Sequence, residues 1–201
     1  SRPMSASATG FVAGSGAGAL VLESLDSALA RGANIYAEVL GGAINSGGQR
    51  GEGTMTAPNS EAVQRCITEA VKDAGISQAA IDVINGHLTA TTKDALEIEN
   101  WSKALARTRS DFPYINSFKG IFGHCLAAAG SIEIVASMLQ FKEGLVFGNT
   151  NCSDVHPEIL KMIAPDKIPQ QSLTYSPKII AKASFGFGDV NACAIFKAYT
   201  N

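Results

Sequence analysis

Two hydrophobic periods alternate along the chain. Ala62, Val63, Cys66, Ile67, Ala70, Val71 and Ala74 recur at i, i+3, i+4 spacing, the pattern of a helix with one buried face. Asn59 or Ser60 caps its start and Gly75 ends it. Asp94 to Arg107 repeats the pattern, with Leu96/Ile98, Trp101 and Leu105 inward. Ser27 to Arg31 predicts a short helix closed by Gly32. His124 to Phe141 is apolar nearly all round, which predicts a helix buried on every side. Short apolar runs lie between these segments: Ala19–Glu23, Ile35–Ile44, Ile81–Ile84, Tyr114–Asn116, Ile179–Phe185 and Asn191–Tyr199. They predict strands, the first buried and reached through a tight glycine segment. The last two are joined as a hairpin by Gly186-Phe187-Gly188-Asp189. Asn45–Pro58, Ser117–Gly123 and the polar stretch Asn149–Pro177 read as loops. Strands alternating with helices predict a layered α/β sheet. No internal repeat or second domain boundary shows, so residues 1–201 read as one domain.

Composition narrows the classes. The chain is 46% apolar and 17% charged, with a formal charge of −2. That excludes disorder and gives no basic excess for nucleic acid. No apolar run approaches the roughly 18 residues of a membrane span. Ser1 to Ser7 lacks the apolar core of a signal peptide, and without an initiator Met the chain reads as a fragment or a processed product. Cys66, Cys125, Cys152 and Cys193 show no C-x-x-C pair and no zinc spacing. Cys66 and Cys193 lie in apolar segments and read as buried thiols, which points to a reduced, cytoplasmic protein. No metal or cofactor is implied.

Each of the three histidines can be weighed. His87 follows a buried strand, where catalytic groups of open α/β sheets collect; a structural histidine at a strand end accounts for its position equally well. His124 starts the apolar helix, whose N-terminus disfavours imidazolium and leaves a neutral hydrogen-bond donor. His156, before Pro157, reads as a solvated surface residue. Glu133 is the one charge within an apolar helix segment, and a buried carboxylate needs a partner. Lys119 is the nearest candidate, as a structural ion pair or as one that orients a site. Cys125 beside His124 is core packing, because helix neighbours point about 100° apart. Gly14-x-Gly16-x-Gly18 is rejected as a phosphate loop, because a strand rather than a helix follows; these glycines fit tight backbone packing. Phe185-Gly186-Phe187-Gly188 is either a tight hairpin with core rings or a loop whose free N–H groups bind an oxyanion.

Taken together, these motifs resemble the C-terminal half of the β-ketoacyl synthases, thiolase-like condensing enzymes. The resemblance rests on Arg2-Pro3 with Gly10 to Gly18; on Asn85-Gly86-His87 with Thr89 and Thr91; on Lys119 to His124 with Ala128-Ala129-Gly130 and Glu133; and on Ser184 to Gly188 with Asn191. It covers essentially the whole chain. It implies a thiolase-like layered fold, a mixed sheet with packed helices and one central buried helix. It also implies decarboxylative condensation of an acyl thioester with malonyl carried on acyl carrier protein, in fatty acid or polyketide elongation. His87 and His124 would be the catalytic histidines, Lys119 would organise the site and Glu133 would be its buried partner. The Phe187 N–H would form half of an oxyanion hole and its ring a gate, within a loop formed by Phe185, Gly186 and Gly188. The acyl-accepting cysteine would lie in the N-terminal half, absent here, and the fragment alone would be inactive. The implied partners are acyl carrier protein, that missing half, and a second subunit in a homodimer or heterodimer.

Leu88 and Thr92 stand where the family usually has Gly and Pro. The stretch from His87 to Glu97 is one residue short, and Asp189-Val190 replaces Gly-Thr. These departures bear on acyl-chain selectivity more than on reaction class. The alternatives are a non-catalytic chain-length partner subunit and a thiolase acting on coenzyme A thioesters. Retention of His87, Lys119 and His124 together favours the synthase.

Overall fold

In the computed structural model, which describes residues 1–200, the elements follow in chain order. They are α1 (Leu25–Ala30), β1 (Ala37–Ser46), α2 (Ser60–Asp73), β2 (Val83–Asn85), α3 (Asp94–Leu105), β3 (Tyr114–Asn116) and α4 (Lys119–Phe122). Then come α5 (Ala129–Glu143), β4 (Leu145–Val146), α6 (Pro157–Met162), β5 (Leu173–Thr174), β6 (Ile179–Gly186) and β7 (Val190–Ala198). Five strands form a mixed sheet in the order β1-β7-β6-β2-β3. The β6–β7 hairpin and the β1–β7 pair are antiparallel, whereas β6, β2 and β3 run parallel. β4 and β5 pair separately.

Side chains alternate across a strand, and β6 uses both faces. Ala181, Ala183 and Phe185 enter the main core with Cys66 and Ile67 of α2, Trp101 of α3 and Ile195 of β7. Lys182 lies on the opposite face, toward α5, where it meets Glu133. The predicted α2 and α3 faces and the strands from Ile35 onward are present, with shifts of one or two residues at some ends. No helix among the described residues is long and apolar enough to cross a membrane.

Four expectations need correction. Ala19 to Leu22 forms no strand, and Val21 is 89% exposed. An apolar run becomes a strand only beside another edge, and none of the described strands pairs with it. The preceding glycines do pack tightly, as expected: a Cβ on Gly14 would stand 2.1 Å from the Phe122 carbonyl oxygen, and one on Gly18 2.6 Å from the Ile132 nitrogen. The long helix begins at Ala129 rather than His124, after a 3₁₀ turn at Leu126–Ala128. It is not buried on every side. Its sealed positions include Glu133, Ser137 and Gln140, while Leu139 is 39% exposed. Its inner face is partly polar, since Gln140 accepts from Asn116 at 2.7 Å and Glu133 holds an ion cluster. Finally, His156 is half-buried and caps α6, its Nδ1 accepting the Glu158 N–H at 3.2 Å. The long Asn149–Pro177 stretch, expected as loop, carries α6 and β5, and the loop after β3 carries α4.

Candidate active site

His87 stands just beyond the carboxyl end of β2, on a turn that the backbone does not favour. Leu88 has φ of 23° and Ala90 of 63°, and such conformations cost about 1–3 kcal/mol each. Two carboxylates of α3 offset that cost. Glu97 accepts the N–H groups of His87 and Leu88, both at 2.7 Å. Asp94 accepts those of Thr89 (2.9 Å), Ala90 (3.1 Å) and Thr91 (3.3 Å), and that of Met4 at 2.8 Å. Hydrogen bonds to charged groups contribute about 1.5–3 kcal/mol each. Burial pushes the Glu97 carboxyl up to about 7 and raises Asp94 as well. Leu88 is thus held in place by its neighbours.

Lys119, at the start of α4, is fully buried. Its Nζ donates to the His87 carbonyl and to Glu133 Oε1, each at 2.5 Å. The expected Lys119–Glu133 pair is therefore present, but it has a third member. Lys182 Nζ lies 2.8 Å from Glu133 Oε2 and also bonds the Ala183 carbonyl and the Ser184 hydroxyl. Burial alone would raise Glu133; Lys182 and Lys119 outweigh it and hold the carboxyl below its ordinary value. Burial pushes the Lys119 ammonium down, since one carboxylate cannot fully compensate two cations.

The rings of His87 and His124 meet edge to face, with centroids 5.5 Å apart. His124 precedes the 3₁₀ turn, and its Nδ1 accepts the Leu126 N–H at 3.1 Å. In the neutral ring that assigns the proton to Nε2. The helix N-terminus expected to keep His124 neutral is several residues away. Burial instead lowers both histidines, and Lys119 and Lys182 act in the same direction; at His124 the Glu133 carboxylate opposes them, while His87 falls well below its ordinary value. His87 Nδ1 is sealed from water without a hydrogen-bond partner among the described residues.

Phe185 is buried, its ring edge-on to His87 at 6.2 Å. Phe187, at the hairpin tip, is 62% exposed, so it is not a core residue of this chain. Its N–H finds no acceptor among the described residues. Gly188 has φ of 82°, open to glycine, and donates to the Met55 carbonyl at 2.9 Å. Asp189 is buried and accepts the N–H groups of Gln49 (3.0 Å) and Asn59 (2.8 Å). It ties the 47–59 loop to the hairpin. A cavity of about 420 Å³ opens between His87, His124, Thr89, Phe11, Thr56 and Phe187. The structure thus gathers all eight expected site residues, with Lys119 and Glu133 behind the histidines.

None of the four cysteines presents an activated thiol. All are free and buried. Burial pushes Cys66 and Cys152 up to about 11 and raises Cys193 further. The Cys125 Sγ lies 3.8 Å from the Phe122 carbonyl, consistent with packing. Sequence reasoning missed Lys182, Glu97 and Asp94. Lys182 had a legible signal: it is the only charge between Ile179 and Phe185, the same reasoning that singled out Glu133.

Residues 36–153 match the family model of the β-ketoacyl synthase C-terminal domain. Over 201 residues the chain is 36% identical to the chloroplastic 3-oxoacyl-[acyl-carrier-protein] synthase I of Arabidopsis thaliana, covering 99% of this chain and 41% of that protein. It is 36% identical to the 3-oxoacyl-[acyl-carrier-protein] synthase 2 of Rhizobium meliloti, covering 100% of this chain and 46% of that protein. The chain therefore spans less than half the length of these relatives. Among solved structures, the ishigamide ketosynthase/chain length factor superposes with a TM-score of 0.89 at 32% identity, over 99% of this chain and 47% of that one. A type II polyketide acyl-carrier protein in complex with its ketosynthase gives 0.85 at 33% identity, over 99% and 47%. The fold is thiolase-like, as expected, and the chain belongs to the β-ketoacyl synthase family, in which it corresponds to the C-terminal domain.

Proposed function

We propose that the protein containing this chain catalyses decarboxylative Claisen condensation of an acyl thioester with a malonyl group on acyl carrier protein. The observation that carries this reading is the pair of histidines, 5.5 Å apart between ring centroids, both shifted toward the neutral form and opening onto one cavity. When the malonyl thioester loses CO₂, the bonding electron pair passes to an enolate, with charge on the thioester oxygen. Two neutral N–H donors lining the cavity meet that charge as it forms. His124 offers its Nε2 proton, and His87 supplies the second donor. The enolate carbon then attacks the acyl thioester on a cysteine, forming the new carbon–carbon bond and releasing the thiolate. That cysteine lies outside the four in this chain, whose thiols are buried. The free Phe187 N–H supports a role in the oxyanion hole, and the exposed ring supports a gating role. Lys119 fixes the His87 carbonyl, and Glu133 keeps Lys119 in place.

The relatives' names support acyl carrier protein as the partner. Residues 1–201 act as one C-terminal domain, completed by an N-terminal half bearing the nucleophile, in a cytoplasmic homodimer or heterodimer. This chain alone should yield no ketoacyl product; robust product would refute the division between halves. In the full protein, His87→Ala or His124→Ala should slow CO₂ release from malonyl carrier protein by roughly 10²–10³, with acyl transfer to the cysteine less affected. Unchanged release in both variants rejects the reading. The ketosynthase/chain length factor neighbour keeps a second reading in view, a chain-length subunit without its own chemistry. Wild-type CO₂ release decides between them.

A further inference from the structure

Lys182 is a buried charge that the proposed chemistry does not use. It is 3% exposed on β6, on the face that meets α5. One carboxylate, Glu133, serves both Lys182 and Lys119, so the cluster holds two ammonium groups against one anion. A structural ion pair needs only one lysine, and a second buried cation costs desolvation energy. What lies beside the surplus is the pair of histidines, through Lys119 and its 2.5 Å bond to the His87 carbonyl.

We propose that Lys182 is a positioning residue of the site. It shares Glu133 with Lys119 so that Lys119 stays on the His87 carbonyl, and it leaves one uncompensated positive charge beside the two histidines. The inference rests on the decarboxylating reading for its functional consequence. The charge acts in two ways. It opposes protonation of His87 and His124, so both remain neutral donors at lower pH. It also favours the negative charge that develops on the enolate. The charged and titratable groups facing this cluster are Lys119 of α4, Glu133 of α5, Glu97 and Asp94 of α3, His124 and, from β7, the Cys193 thiol. Glu97 counters Lys119 only partly, because burial favours its protonated form.

The test uses the full-length protein that contains this chain, with Lys182→Met, Lys182→Gln and Lys182→Arg. Two readouts are taken: the pH profile of CO₂ release from malonyl carrier protein, and NMR titration of the histidine rings. In the neutral variants the histidines should take up protons at higher pH than in the wild type. The acid limb of CO₂ release should move the same way, with the plateau falling roughly tenfold. Lys182→Arg should restore the wild-type limb. Histidine titrations unmoved in a folded neutral variant overturn the proposal, as does failure of both neutral variants to fold, which would make Lys182 purely structural. A wild type that releases no CO₂ refutes the decarboxylating reading instead, and the ring titrations still decide the role of Lys182.

Discussion

Glu97 gives the sharpest energetic expectation. Its carboxyl is raised from 4.5 to about 7, first by burial and then, in the same direction, by the Asp94 charge. The folded state therefore binds a proton more readily than the unfolded chain. Across that window stability falls as pH rises, because the carboxylate must ionise inside the protein. Integrating between pH 5.5 and 8, with a folded value of about 7 and an unfolded value of 4.5, gives a loss of about 2 kcal/mol. Glu97→Gln removes this titration. The variant also exchanges one acceptor of the 2.7 Å pair to His87 and Leu88 for an amide donor, costing about 1–3 kcal/mol. The variant should thus be less stable than the wild type at pH 5.5, and should lose less on going from pH 5.5 to 8 than the wild type does. Urea titrations of both proteins at the two pH values measure the double difference. Trp101, the only tryptophan, reports from the site itself: it is fully buried, with its Nε1 3.4 Å from Glu97. A double difference below about 0.5 kcal/mol, or one of opposite sign, would refute burial as the cause.

Phe187→Ala should leave unfolding within about 0.5 kcal/mol of wild type, as for other exposed side chains, while changing discrimination among acyl primers in the full protein. A melting loss on the scale of a core phenylalanine, about 3–5 kcal/mol, with unaltered discrimination would return the ring to the core. Asp189→Ala should cost about 2–3 kcal/mol, because the N–H groups of Gln49 and Asn59 lose a buried charged acceptor. Limited proteolysis should then cut first within residues 47–59; unchanged protection there would show that Asp189 does not hold the loop.

Much of this protein was legible in its sequence because local chemistry and tertiary demand agree. The apolar spacing from Ala62 to Val71 allows one buried face, and α2 buries it. His87 was placed by the strand before it, and the Lys119–Glu133 pair by the cost of an unpaired buried carboxylate. Motif order supplied the family. Other features depend on elements far apart in sequence. Ala19 to Leu22 has the composition of a strand, but a strand requires a paired edge, and the described sheet gives it none. His124 looked like a helix start until the backbone bridged it to Ala13. Whether Lys182 was a tolerated strand charge or part of a buried cluster depended on which face of β6 met α5, and on Glu133 standing there. The neutrality of the histidines likewise arises from burial and from lysines that approach through space, a relation that only the folded chain establishes.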